Sequence, residues 1–225
     1  MVQDSLALHQ EAGDKLSIAW PLGNLANVAG DRGDHERAKQ LYEEGLALSR
    51  RLGSAELLGA YLISLGSESL LEGEPERAIA LNEEAAELFR KRGRRGGLQH
   101  ILDNLGRATL LRGDYERAET LHKESLRVSQ DLGDKLIASD SLEGLACTAG
   151  AQGEAERSAI LFGAAEGLRE AEGYQQAPRD RSLREPYLAA AHAQIGEATW
   201  SAAWEKGRSM EFEDAVVYAL EKPHG

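Results

Sequence analysis

One cysteine, no long apolar run and no surplus of basic charge: each of these shortages removes a class of function. Cys147 has no second cysteine to pair with, so no internal disulfide holds the chain. It falls within the helical pattern LEGLACTAG, where a small half-buried thiol is the plain reading and a redox or reactive role the alternative. No stretch approaches the roughly 20 apolar residues that cross a bilayer. The opening MVQDSLALHQEAGD lacks the basic n-region and apolar h-region of a signal peptide, so the chain is expected in the cytoplasm and away from membranes.

A formal charge of -12 and a pI near 5.0 leave no dense basic footprint for phosphates. With 5% aromatics there are also few platforms for base stacking, so direct contact with nucleic acid is not expected. The six histidines, His9, His35, His100, His122, His192 and His224, never stand at i, i+3 or i, i+4, and no zinc or iron site is expected. There is no G-x-x-x-x-G-K-[ST] phosphate loop and no G-x-S-x-G elbow. Carboxylate pairs such as Glu43/Glu44, Glu83/Glu84 and Glu154/Glu156 recur along the chain, as a solvated face does and a unique active site does not. No catalytic residue, metal or cofactor is expected.

What the 225 residues do contain is repetition. GDHERAKQLYEEGL starts at Gly33, GEPERAIALNEEAA at Gly73, GDYERAETLHKESL at Gly113 and GEAERSAILFGAAE at Gly153, forty residues apart with no insertion. Two helical patterns occupy each period. The first is carried by Leu22/Leu25, Leu62/Leu65, Leu102/Leu105 and Leu142/Leu145 at i, i+3. The second runs through Ala38, Leu41 and Leu48, then Ala78, Leu81 and Leu88, then Ala118, Leu121 and Val128. The glycine before each acidic residue ends one helix in the left-handed conformation, and the acid opens the next. Gly53, Gly93, Gly133 and Gly173 close the second helix, while Ala38, Ala78, Ala118 and Ser158 let neighbouring helices approach. One amphipathic pair cannot bury both faces, but stacked pairs can. The expected fold is all-α, a right-handed superhelical solenoid of antiparallel helix pairs with a C-terminal helical cap.

These residues, L-G/A in the first helix, the G-[DE]-x-x-R-A turn and a small then apolar residue in the second, resemble tetratricopeptide repeats. The longer variety of about 40 residues is found in bacterial signal-transduction ATPases and kinesin light chains. Residues 2–13 align with 42–53, so the chain opens on a half repeat at 1–13. Either this is a piece of a longer protein or a degenerate N-terminal cap. Repeats at 14–53, 54–93, 94–133 and 134–173 would follow, making a solenoid of 1–173, with 174–225 as the capping segment. In that segment Trp200, Trp204, Val216, Val217 and Leu220 are available to cover the open end, and Ser209 is expected to cap the last helix.

The tail, with Tyr187, Ile195-Gly196, W-x-x-A-W-x-x-G-R at 200–208 and A-V-x-x-A-L at 215–220, resembles the end of the repeat region in LuxR-type and maltose-regulator-like transcription regulators of the signal-transduction ATPase class. The resemblance implies an interaction and sensor portion whose partners are a peptide, a protein or neighbouring domains of the same polypeptide. A homodimer through an uncovered end is the scaffold alternative. Inner-face positions that differ between copies are the candidate groove: Trp20, Asn24 and Asn27 in the first repeat, and His100, Asp103, Asn104 and Arg107 in the third. Asn and Arg there could hold a peptide backbone or a carboxylate, with Trp20 as an apolar anchor; otherwise they are surface residues between packed leucines. Arg90, Lys91, Arg92, Arg94 and Arg95 form a basic loop that either complements a helix C-terminus or docks an acidic surface.

Overall fold

The computed structural model describes residues 20–94, 96–175 and 181–221. Helical residues 20–31 form the described part of α1. Then come α2 (His35–Leu52), α3 (Ala55–Leu71), α4 (Pro75–Lys91), α5 (Leu98–Leu111), α6 (Tyr115–Leu132), α7 (Lys135–Ala151) and α8 (Ala155–Ala171). Three further complete helices follow among the described residues: α9 (Glu185–His192), α10 (Glu197–Arg208) and α11 (Phe212–Leu220). Among the described residues there is no strand. Consecutive helices pack against one another as antiparallel pairs, which is the all-α fold expected from the forty-residue period.

The turns explain why the helices end where they do. Gly33, Gly53, Gly73, Gly93, Gly113, Gly133, Gly153 and Gly173 all have φ between 63 and 86°, twenty residues apart. At Gly53 the amide donates to the Arg50 carbonyl at 3.2 Å and the next amide, that of Ser54, to Ser49 at 3.2 Å. This closure satisfies the last carbonyls of α2 and needs the left-handed backbone that glycine adopts without strain. The following residue then starts the next helix: Asp34, Ser54, Asp114 and Asp134 accept from the amide three residues on. Glu74 and Glu154 occupy the same position without a side-chain cap bond, and in α4 Pro75 supplies the preset first turn instead.

Ala38, Ala78, Ala118 and Ser158 are fully buried, as close helix approach requires. Leu62, Leu65, Leu102, Leu105, Leu142 and Leu145 are buried as their spacing predicts, but Leu25 is 57% exposed. It lies on the first described helix, where no preceding described helix is stacked. The first helices of successive pairs touch each other, α3 against α5 and α5 against α7, and form the inner layer. The second helices are linked across the outside by Arg77 to Glu43 (2.6 Å), Arg117 to Glu83 (3.0 Å) and Arg50 to Glu84 (2.8 Å). Exposed pairs of this kind contribute little each, about 0–1 kcal/mol. The series stops at Lys123, which has the wrong sign for Arg157 and pairs with Glu119 instead. Arg157 donates to the carbonyls of Ala219 and Glu221 at the end of α11, each at 3.0 Å.

The C-terminal helices lie on the end of the array, α9 on α7 and α8, α10 on α8, and α11 on α6, α7 and α8. Trp200 and Val216 are buried, Trp204 and Leu220 half-buried, and Val217 is 55% exposed because its neighbour Val216 takes the inward position. Ser209 does not cap the last helix: it ends α10, its hydroxyl donating to the Lys206 carbonyl at 3.0 Å, and Glu211 is the residue before α11. A helix end offers free carbonyls, and the hydroxyl serves one of those.

α8 and α10 meet backbone to backbone. A methyl group on Gly207 would lie 1.9 Å from the Ile160 carbonyl oxygen, and one on Gly163 2.1 Å from that of Trp204. An alanine gains only about 1 kcal/mol in helix propensity over glycine, whereas forcing two helices apart costs about 1–3 kcal/mol or more. Gly207→Ala should therefore lower stability in urea unfolding, the opposite of the propensity prediction.

Candidate functional site

Two clefts on the inner layer hold the candidate residues. The larger, about 160 Å³, lies across α3, α5 and α7 and is lined by His100, Asp103, Asn104 and Arg107 together with Asp140 and Leu183. All four third-repeat candidates thus converge on one place. The second, about 100 Å³, lies between α1, α2 and α3 and holds Trp20, Asn24 and Asn27. Trp20 is 54% exposed, and Asn27 is hydrogen-bonded by the Tyr42 hydroxyl. The first-repeat and third-repeat candidates do not meet.

The basic loop belongs to neither cleft. Lys91 pairs with Glu87 at 2.6 Å, and the Arg94 guanidinium sits 5.6 Å from the centre of the Phe89 ring with its Nη1 3.9 Å from Glu56. Arg90 and Arg92 are exposed at the end of α4, and Arg95 lies outside the described residues.

Beneath the larger cleft runs a chain of alternating charges. His122 Nδ1 lies 3.0 Å from Asp103 Oδ1, and Arg107 Nε donates to Asp103 Oδ2 at 2.8 Å. Arg107 Nη2 stands 3.8 Å from Asp140, to which Arg169 donates at 2.9 Å. Arg169 also donates to Glu143 at 2.8 Å, and Arg184 to the same Glu143 oxygen at 2.9 Å. Among the described residues, Arg107, Arg169 and Arg184 therefore face Asp103, Asp140 and Glu143. Burial of a paired charge is tolerable only when the partners stay, and removing one is costly.

His122 has its own reason for being there. A methyl group on Gly106 or Gly144 would come within 2.6 or 2.2 Å of its ring, so the imidazole fills the space two glycines leave between α5 and α7. Asn82, one repeat earlier, fills the space at Gly66 in the same way, and Asn104 donates to it at 3.4 Å and to Ser67 at 3.0 Å. His122, Asn82, Arg169 and Arg184 were missed by sequence reasoning. For the first two a signal existed: the column 42, 82, 122, 162 reads Tyr, Asn, His, Phe between buried small and apolar positions.

The charges titrate unequally. Burial pushes the Asp103 carboxyl up, but Arg107 and the His122 hydrogen bond outweigh it and bring it down from 3.8 to about 2. At Asp140 burial prevails and holds the carboxyl above its ordinary value, against the pull of Arg107. Burial also raises the Cys147 thiol, with Glu143 adding to it, so this buried cysteine is held as the unreactive thiol.

These groups define what the cleft can do. Arg107 is held between Asp103 and Asp140 and does not present a free guanidinium to an incoming carboxylate. His100 is exposed and Asn104 half-buried, and both can exchange hydrogen bonds with a polypeptide backbone.

Asp103→Asn should destabilise the chain by about 3–5 kcal/mol, as expected for a broken buried pair, measured by urea unfolding at pH 7. Because the folded carboxyl titrates below the unfolded one, its contribution is complete above about pH 4. It is lost as pH falls through about 2, so the wild-type advantage over Asp103→Asn should shrink in that window.

Two family models, each described as Tetratricopeptide repeat, match residues 17–91 and 98–132. No curated protein matches the chain. Among solved structures, the crystal structure of BtubC (BKLC) from P. vanneervenii is similar with a TM-score of 0.60 and 20% identity, covering 95% of this chain and 87% of that one. At that identity the likeness concerns the fold. Tetratricopeptide repeats therefore occupy residues 17–91 and 98–132, and the chain folds as a TPR-like array of helix pairs, an architecture of protein–protein interaction modules.

Proposed function

We propose that this chain is a non-catalytic binding module whose inner layer receives a peptide or a segment of another protein. The convergence of His100, Asp103, Asn104 and Arg107 on one cleft carries the reading. The cleft combines backbone-matching polar groups with an apolar shelf of Leu70, Leu71 and Leu183. The first-repeat cleft at Trp20, Asn24 and Asn27 provides a second contact point, and the exposed Arg90 and Arg92 a docking edge for an acidic surface.

The context we propose is the interaction portion of a multidomain bacterial transcription regulator of the LuxR-type or maltose-regulator-like class, acting in the cytoplasm. Support comes from the W-x-x-A-W-x-x-G-R tail. Its residues also have structural duties, since Trp204 stacks on Phe162 with centroids 6.1 Å apart and donates to Glu166 at 2.7 Å. Among the described residues no helix is long and apolar enough to cross a membrane. Binding would act by favouring one curvature of the array over another.

A second reading, a self-association scaffold, is favoured by the exposure of Leu25 and Val28 on α1. Selection of a displayed random-peptide library on the chain, followed by titration of the enriched peptides, separates the two. Groove binding predicts affinity lost at least about tenfold in His100→Ala and Asn104→Ala, more than 1 kcal/mol as for interface anchors. No enrichment, or equal binding to both variants, would refute it. A dimer mass in light scattering that disappears in Leu25→Glu would then support the scaffold.

A further inference from the structure

In each later repeat the preceding second helix covers one side of the first helix: α2 lies on α3, α4 on α5 and α6 on α7. Three columns of the covered helices are buried in every copy: Tyr61, Ile101 and Ser141, then Leu65, Leu105 and Leu145, then Glu68, Ala108 and Thr148. Their counterparts on α1 are Pro21, Leu25 and Val28, and all three are exposed. A lone apolar side chain on a surface is ordinary, but columns buried in every other copy mark a face shaped to be covered.

The chain carries a sequence of the covering kind. The buried columns shared by α2, α4 and α6 are 42/82/122, 45/85/125, 46/86/126 and 49/89/129. Forty residues before the first members stand Val2, Ser5, Leu6 and His9. Ser5 extends a column of small residues, Gly45, Ala85 and Ser125, and Leu6 one of Leu46, Ala86 and Leu126. Asp4, Ala7 and Gln10 fall on the columns headed by Glu44, Ala47 and Arg50, whose members are exposed. Gly13-Asp14-Lys15-Leu16 then repeats Gly133-Asp134-Lys135-Leu136 letter for letter. At the later copy Gly133 has φ 68° and the Asp134 carboxylate accepts from the Ile137 amide at 3.1 Å, the turn that joins a second helix to the next first helix.

We propose that the exposed face of α1 is the seat of residues 1–13, which lie outside the described residues, in the register that α2 takes on α3. The proposal is independent of the groove reading. It assigns the face that favours a self-association scaffold to the chain's own segment, so copies associate through Leu25 and Val28 only when that segment is displaced. Helices shorter than about 12–15 residues are marginal alone in water, so the segment becomes helical as it covers α1. Its short tether gives it an effective concentration on the order of millimolar, which a dilute second copy does not match.

The register names the pair to test. The Ser141 hydroxyl donates to the Ser125 hydroxyl at 2.8 Å, and a methyl group on Gly45 would lie 2.1 Å from the Tyr61 ring. Two separate repeats thus bring together the columns to which Ser5 and Pro21 belong. Ser5→Cys/Pro21→Cys is made in the full chain and treated with oxidised glutathione, which takes up the two electrons released as the disulfide forms. Cys147, buried and held as the thiol, stays unchanged. The intramolecular disulfide, read by intact mass and peptide mapping, should form at least about tenfold faster than in Ala7→Cys/Pro21→Cys, whose first position faces away, and at a rate independent of protein concentration.

Equal rates in the two variants would overturn the proposal. A disulfide between copies that grows with protein concentration would also overturn it and give the face to a second copy. Should either variant fail to fold, hydrogen exchange on the unmodified chain decides. Amides of residues 6–10 should exchange at least about tenfold more slowly than in a synthetic peptide of residues 1–13. Equal exchange, or protection that appears only at high protein concentration, would refute the assignment.

Discussion

Reversal of the helix at a left-handed glycine, every twenty residues, is the constraint on which the rest of the structure depends. Helices of 17 or 18 residues fill most of each interval, apart from the 14-residue α5, so every pair closes with its ends level. Level pairs bring equivalent positions into line from one repeat to the next. The columns 20, 60, 100, 140 and 23, 63, 103, 143 then become neighbours on one surface, and variation in those columns becomes a local chemistry. Without a constant interval, Asp103 and Asp140 would not face the same Arg107.

The array handles charge in two ways. On the outer helices arginine and glutamate alternate at exposed positions, where a lost pair is replaced by water at small cost. Under the inner layer the same residue types are shut away from water, and each depends on the next. The two are connected by one substitution of sign. Lys123 ends the outer series and leaves Arg157 to hold the carbonyls that finish α11. A change in a repeated surface position has thus become the attachment of the final helices.

Much of this was legible in the sequence because it is periodic. The turn glycines, the buried alanines, the helix pairs and the grouping of His100, Asp103, Asn104 and Arg107 all follow from reading copies against one another. What periodicity cannot convey is which distant group answers a polar one. Nothing in the sequence links Asp140 and Glu143 to Arg169 and Arg184, which stand 26 to 41 residues away with no spacing rule to join them. Ser209 misled for a local reason: a hydroxyl between two short helices serves the carbonyls of the first as well as the amides of the second. Arg107, which the sequence offers as a group for a carboxylate, has Asp103 as its partner within the fold, a pairing that its i, i+4 spacing allows but does not announce.

The glycines at α8 and α10 have a mechanical consequence. Stacked repeats joined through side chains can slide and tilt, since side chains change rotamer and refill the gap. Where Gly163, Gly167 and Gly207 bring main chain onto main chain, nothing intervenes that could rearrange. The contact of α8 with α10 is accordingly one that side-chain rotamers cannot refill, unlike the contacts between the repeated pairs. The larger cleft lies among the contacts made through side chains, with Leu71 on α3, Asp103 on α5 and Asp140 on α7, so a change of rotamer there alters its width without disturbing the main-chain contact at the end of the array.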